Sequence, residues 1–222
     1  MKIFGVGMNY IQHNKELDGT LYKPERPVIF TKADSSLLKD HKPFFIPDWA
    51  EQVDYEAELV VRIGRLGKGI PQRFAHRYCD AVTVGIDFTA RDWQREARSK
   101  GLPWDICKGF DGSAVIGEWV PLTPHTVSPG GAGPSAKASP RGGLEEVLHF
   151  RLDINGQTVQ QGCSSEMLYG IDELISYISQ FFTLKTGDLI FTGTPVGVGP
   201  VHVDDHFIGY LEDRPVLDFY AR

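Results

Sequence analysis

Glu56 and Glu58 stand two residues apart in the stretch Asp54-Tyr55-Glu56-Ala57-Glu58-Leu59-Val60-Val61-Arg62-Ile63. The stretch alternates apolar and polar residues and is rich in β-branched ones, which predicts a strand with Tyr55, Ala57, Leu59, Val61 and Ile63 on one face. Glu56 and Glu58 then share the other face, roughly 7 Å apart. Turned inward, two such carboxylates must be neutralised by protons, basic groups or a cation, and a hard divalent cation suits oxygen ligands. Turned outward, they are solvated acids on a half-exposed strand, a reading that Arg62 on the same face supports.

Other residues could add chemistry to that pair. The apolar run Ala81 to Thr89 predicts a strand whose parity groups Ala81, Thr83, Gly85 and Asp87. Asp87 falls at its end, with room beside it at Gly85, and could supply a third carboxylate. A helix is predicted next, with Thr89 and Asp92 as a capping-box-like start and Gly101 before Pro103 as its stop. Arg91 and Gln94 lie three apart near its N-terminus, where backbone N–H groups favour anions. Arg95, Glu96, Arg98 and Lys100 read as its solvated face. Earlier in the chain, His13 and Glu16 share one face if Asn9 to Leu17 is helical, and a carboxylate beside an imidazole suits a general base acting on water. The alternative is a solvated surface pair. Lys32 could face an anionic ligand or plain solvent. Lys108-Gly109-Phe110-Asp111-Gly112 reads as a polar turn whose glycines permit close backbone approach.

The elements that must position these groups are mainly strands. Ile3 to Val6 and Pro27 to Lys32 read as short strands, and Leu148 to Ile154 turns at Asn155-Gly156 into Gln157 to Gln161 as a hairpin. Ile171 to Phe182 carries apolar residues at 171, 174, 175, 178, 181 and 182, a helical core stripe. Thr123 to Gly143 is rich in proline, glycine and serine and reads as a long surface loop. The segment Leu184 to Pro195 gives a turn, a strand and a small-residue loop without a phosphate-binding or dinucleotide glycine pattern. His202 and His206 stand four apart, but in a turn-rich segment that disfavours a shared metal.

With 222 residues, a net charge of −6 and no Lys/Arg-rich run, the chain suits one large domain and disfavours a nucleic-acid or anionic-membrane surface. No signal peptide and no run of 18 apolar residues is evident, which predicts a cytoplasmic location. Cys79, Cys107 and Cys163 are odd in number and far apart, so free thiols are expected.

Several motifs in order, Asn9-Tyr10…His13…Glu16, Tyr55-Glu56-Ala57-Glu58-Leu59, Gly85-Ile86-Asp87-Phe88-Thr89-Ala90-Arg91-Asp92, Gly101-Leu102-Pro103-Trp104…Lys108 and Gly187-Asp188-Leu189-Ile190-Phe191-Thr192-Gly193-Thr194-Pro195, resemble the fumarylacetoacetate hydrolase family. The resemblance is closest to its short acylpyruvase and oxaloacetate-decarboxylase branch, with 2-hydroxyhepta-2,4-diene-1,7-dioate isomerases nearby. It implies a mostly β fold, a mixed barrel or roll with flanking helices spanning residues 1–222, in a homodimer that binds Mg²⁺ or Mn²⁺. It further implies Glu56, Glu58 and Asp87 as metal ligands and His13 with Glu16 as the water-activating pair. Lys108 would be the active-site lysine, with Arg91, Gln94, Thr194 and Lys32 contacting substrate. The implied activity is cleavage of a C–C bond in a small 2,4-dioxo acid, with oxaloacetate decarboxylation through the same pyruvate enolate. Isomerisation of an unsaturated diacid, or non-catalytic binding of an oxo acid, are the alternatives. Met8 departs from the family pattern, which has arginine there, and the loop at 123–143 is longer than in close relatives.

Overall fold

Strands dominate the protein, and the computed structural model describes them through residues 1–13, 23–122 and 147–222. The largest sheet runs β2 (Val28–Lys32), β1 (Ile3–Gly7), β12 (Leu189–Phe191), β5 (Ala57–Ile63), β6 (Cys79–Asp87), β8 (Ala114–Ile116) and β3 (Leu37–Leu38), with β9 (Val120–Pro121) also paired to β6. A second sheet orders β11 (Gln157–Cys163), β10 (His149–Ile154), β14 (His206–Leu211) and β15 (Arg214–Tyr220). A small third sheet holds β13 (Gly199–Pro200), β4 (Val53–Tyr55) and β7 (Thr89–Ala90). The mixed, largely antiparallel arrangement with flanking helices is the predicted class. Glu16 and the stretch 123–143 lie outside the described residues.

The alternation in β5 sets its two faces. Ala57, Leu59, Val61 and Ile63 join Val82, Val84 and Ile86 of β6 in the main core, together with Leu152, Phe207 and Leu217 of the second sheet. Stacked and edge-on rings of Phe44, Phe88, Phe207 and Phe219 extend this core. The opposite face is not solvated throughout: Val60 packs with Ile3, Leu189 and Phe191 in a smaller apolar cluster, and Glu58 is buried beyond it. Only the far end of that face meets water, where Arg62 pairs with Asp80 at 2.8 Å.

The hairpin turns where expected, with Asn155 and Gly156 both at positive φ, 53° and 79°. The helix Arg91–Lys100 ends at Gly101 in the left-handed conformation. Its start corrects the capping expectation: Ala90 is the cap residue, and the Thr89 hydroxyl turns instead to Glu56 Oε1 and the Asp87 carbonyl. Lys108 lies in a short helix, Asp105–Gly109, not in a turn. The helix Ile171–Phe181 buries Ile171, Leu174, Ile175 and Ile178, whereas Phe181 and Phe182 are exposed because the helix stops there and Phe182 is extended. All three cysteines are free.

Candidate metal and catalytic site

The predicted strand over 54–63 is interrupted at Glu56, where its pairing with the neighbouring strand passes from the large sheet to the small one. The register nevertheless continues. Ala57 faces Ile86 and Glu58 faces Gly85, Asp87 N donates to Glu56 O at 2.8 Å, and Asp54 faces Thr89. One face of this ladder therefore presents the pairs Asp54/Thr89, Glu56/Asp87 and Glu58/Gly85 in succession. Residues directly opposed in such a ladder hold their Cβ atoms about 5 Å apart. Glu56, Glu58 and Asp87 accordingly bring one oxygen each within 4.8 Å of the others, all buried. Gly85 is required beside them, although not as open space: a Cβ there would sit 2.6 Å from the Val115 carbonyl oxygen and 2.7 Å from Val60.

Buried cations organise these acids. Lys108 Nζ donates to Glu56 Oε2 (2.8 Å), Asp87 Oδ2 (2.8 Å) and Thr89 Oγ1 (2.6 Å), which uses all three of its hydrogens. Arg91 donates to Asp54 Oδ2, Glu56 Oε1 and Gln94 Oε1 at 2.7, 2.8 and 2.5 Å. Lys32 donates to the Lys108 and Ser113 carbonyls and to Ser113 Oγ. Its Nζ also lies 2.7 Å from Asp87 Oδ1, but off hydrogen-bond geometry, so this buried carboxylate oxygen receives no hydrogen bond. Glu58 Oε2 accepts from Gly193 N at 2.7 Å.

The charge balance separates the acids. Burial alone would raise Glu56, yet Lys108, then Arg91 and His13, outweigh it and hold its carboxyl far below the usual range. Glu58 goes the other way, raised well above the usual range by burial and by the charges of Asp87 and Glu56. Burial lowers Lys32 against the pull of Asp87, while Asp87 and Glu56 overcome burial to raise Lys108. In this cluster four buried acids, Asp54, Glu56, Glu58 and Asp87, thus face three buried cations, Lys32, Arg91 and Lys108. A cluster with that excess takes up a proton or a cation. Three buried carboxylates within reach of one another, with Asp87 Oδ1 paired to Lys32 only outside hydrogen-bond geometry, fit a hard divalent ion. Below its raised pKa Glu58 carries a proton that the ion must displace, so metal affinity is expected to weaken as pH falls. Ion binding is accordingly expected to release protons. Calorimetry of Mg²⁺ or Mn²⁺ binding in buffers of different ionisation enthalpy reads this directly, and heats independent of buffer would contradict it.

A cavity opens onto the carboxylates. Its lining includes Glu56, Glu58, Asp87, Lys108, His13, Gln94 and Thr194, so the structure gathers these predicted residues at one place. Arg91 and Lys32 reach it through the carboxylates they hold. His13 is buried in the cavity wall, within residues 11–13, which are helical. The Thr194 hydroxyl donates to Ala57 O at 2.8 Å.

Three residues of this assembly carry no role in the sequence reading. Asp54 shares the parity of Glu56 and Glu58, a signal present in the chain, and it anchors Arg91. Gly193 takes φ 99°, and a Cβ on it would stand 2.8 Å from Asn9 Cβ. Asn9 in turn bonds Tyr169 and Thr192. Gln160, 103 residues from Ala57, accepts from Ala57 N at 2.8 Å and donates to Thr194 Oγ1 and Pro195 O at 2.9 and 3.0 Å, which no local pattern announces. It fixes the backbone between the two glutamates. Gln160→Leu leaves those buried groups unpaired and is expected to cost about 3 kcal/mol, with weaker metal binding. Urea unfolding with and without Mn²⁺ checks this, and an unchanged midpoint would deny the clamp its role.

Residues 2–218 match the model of the fumarylacetoacetate hydrolase C-terminal family. The chain is 35% identical over 204 residues to the mitochondrial oxaloacetate tautomerase of Mus musculus, covering 90% of this chain and 82% of that protein. Fumarylpyruvate hydrolase from Pseudomonas aeruginosa, solved with Mn²⁺ and pyruvate, superimposes with a TM-score of 0.84 at 30% identity, covering 100% of this chain and 89% of that one. The 5-carboxymethyl-2-hydroxymuconate delta-isomerase of Mycobacterium smegmatis superimposes with a TM-score of 0.79 at 32% identity, covering 99% and 78%. With the family model matched over residues 2–218 and relatives covering nine-tenths of its length or more, the chain belongs to the fumarylacetoacetate hydrolase family of enzymes.

Proposed function

We propose that this protein is a divalent-metal-dependent hydrolase that cleaves the C–C bond of a small 2,4-dioxo acid of the acylpyruvate type, with Mg²⁺ or Mn²⁺ as its ion. The observation that carries the reading is the convergence of Glu56, Glu58 and Asp87 at the base of a cavity whose wall holds His13. When bound, the ion supplies Lewis-acid stabilisation to the carboxylate and 2-oxo oxygens of the substrate and to the negative charge that develops there.

The chain's own residues do the rest. Lys108 and Arg91 keep Glu56 ionised, and Lys108 fixes both Glu56 and Asp87 in direction, which prepares the ligand set before substrate arrives. His13 takes a proton from the water that attacks the carbonyl at C4. The C3–C4 bond then breaks, C4 leaves as a carboxylic acid, and the proton held on His13 is returned to C3 of the pyruvate enolate. Glu16 is assigned to orient His13. Gln94 and Thr194 line the path of the substrate. Oxaloacetate can lose CO₂ to the same enolate with no attacking water.

A second reading, tautomerase or isomerase activity on a 2-oxo or 2-hydroxy diacid, is favoured by the identity to oxaloacetate tautomerase and needs only proton transfers at the same site. Turnover of acetylpyruvate, fumarylpyruvate, oxaloacetate and a hydroxyheptadienedioate, in Mg²⁺ and then in EDTA, separates the two. Metal-dependent pyruvate from an acylpyruvate supports hydrolysis. Loss of ultraviolet absorbance with neither pyruvate nor CO₂ selects isomerisation.

A further inference from the structure

The strands that carry the site have a second end. β5 runs from the Glu58 end to Ile63, β12 begins at Leu189 and leads to Gly193, and β1 begins at Ile3 and leads to Met8. The cavity lies at one end of these three neighbours, and the segments 64–69 and 183–187 lie at the other, roughly 20 Å away along β5. Backbone hydrogen bonds join the two segments. Gly67 and Leu184 exchange a pair at 3.0 and 2.8 Å, Gly69 N donates to Ser179 O at 2.8 Å, and Gly187 N donates to Ile63 O at 2.7 Å. Side chains alternate across such a pair. Leu184 turns into the core, so Lys185 beside it, and Leu66 and Lys68 on either side of Gly67, project outward.

This end is apolar at its tips and positive around them. Leu66 is 64% exposed, and Phe181, at the adjoining helix end against Tyr177, is 59% exposed. Isolated exposed apolar residues are ordinary, but these stand on joined segments with cations between them. Residues 59–79 and 174–187 carry Arg62, Arg65, Lys68, Arg73, Arg77 and Lys185 and not one aspartate or glutamate, in a chain with 29 acids against 23 Lys and Arg. At the margin, Asp80 is taken by Arg62 and the buried Asp188 by Lys2. Arg65 lies over the Tyr78 ring, and Arg73 and Arg77 lie over Phe74, so apolar stems are supported while the guanidiniums stay at the surface. The cations are spread along the chain and form no basic run, which is why the net charge of −6 conceals them. Folding gathers them on one side.

We propose that this end of the sheet is a docking surface for an anionic lipid layer, with Arg65, Lys68 and Lys185 taking headgroup phosphates and Leu66 and Phe181 entering the boundary between them. The one-sided charge calls for an anionic partner, and a lipid boundary yields around projecting tips without needing a matched shape. No helix of the described residues is long and apolar enough to cross a membrane, so the contact is interfacial. The cavity, at the other end of β5, stays clear of it.

Sedimentation of the whole protein with lipid vesicles tests this, whichever oxo acid the cavity turns over. At low ionic strength the protein is expected to bind vesicles in which about a third of the lipid is phosphatidylglycerol and to ignore pure phosphatidylcholine, with binding lost in about 0.5 M salt. Lys68→Gln and Lys185→Gln should each weaken binding by roughly fivefold. Leu66→Ser combined with Phe181→Ser should weaken it by about as much or more while leaving its salt dependence intact, which separates insertion from charge. All four side chains are exposed, and unchanged melting temperatures would certify the fold of each variant. No binding to the anionic vesicles overturns the proposal, and so does binding that the lysine variants leave at the wild-type level. Capture by poly-glutamate without capture by vesicles would assign the face to an acidic protein instead. A dimer in sedimentation velocity that the Leu66→Ser, Phe181→Ser variant dissociates would assign it to a second copy of the chain, and either result overturns the lipid reading.

Discussion

Asp87→Asn is expected to abolish the rise in melting temperature that Mg²⁺ or Mn²⁺ gives the wild type and to lower metal-dependent turnover more than 100-fold. The reason lies in what meets at this side chain. Its Oδ2 accepts from Lys108, and its Oδ1 lies 2.7 Å from Lys32 yet receives no hydrogen bond, which leaves lone pairs for a cation. Removing the charge also strands Lys32, which is buried. Breaking a buried pair in this way costs about 3 kcal/mol or more, so the metal-free variant should unfold earlier as well. The pair between Arg62 and Asp80 on the same sheet is the control. It is exposed, and Asp80→Asn should change stability by less than about 1 kcal/mol. Melting curves in EDTA, Mg²⁺ and Mn²⁺ for both variants give the comparison. A rise with Mn²⁺ in Asp87→Asn would remove Asp87 from the ligand set.

His13→Ala is expected to slow acetylpyruvate hydrolysis by roughly 100-fold or more, the usual contribution of a positioned general base. Oxaloacetate decarboxylation, which needs no attacking water, should stay within a factor of about three, and Mn²⁺ affinity should change little because His13 lines the cavity without belonging to the acidic triad. The ratio of the two activities is the informative reading. A fall in both by the same factor would show that His13 supports the site as a whole, and unchanged hydrolysis would take the base assignment away from it.

Local pattern determined a good part of this protein. Alternation placed Ala57, Leu59, Val61 and Ile63 in the core and left Glu56 and Glu58 together on the other face, because side chains on a strand repeat every two residues. The same parity brought Asp87 to the end of the neighbouring strand, and Asn155-Gly156 and Gly101 marked a turn and a helix end through their backbone conformations. The ordered motifs were enough to indicate the family.

Which way the glutamate face turned was a different matter, since an acid-bearing strand beside Arg62 reads equally well as solvated. Only the tertiary structure decided it, by burying Glu58 against Gly193 while leaving Arg62 in water. The Thr89 hydroxyl left its expected cap because it sits between two buried charges, accepting from Lys108 and donating to Glu56, and charge-assisted hydrogen bonds are the stronger ones. Gln160 lies 103 residues from the strand it clamps, and Gly193 lies 135 from the glutamate it faces. Contacts at such separations leave no periodic trace in the chain. Residue types and spacing therefore determined that three acids, a histidine and two lysines were available, and the tertiary structure decided which of them are dry, paired and aimed at one cavity.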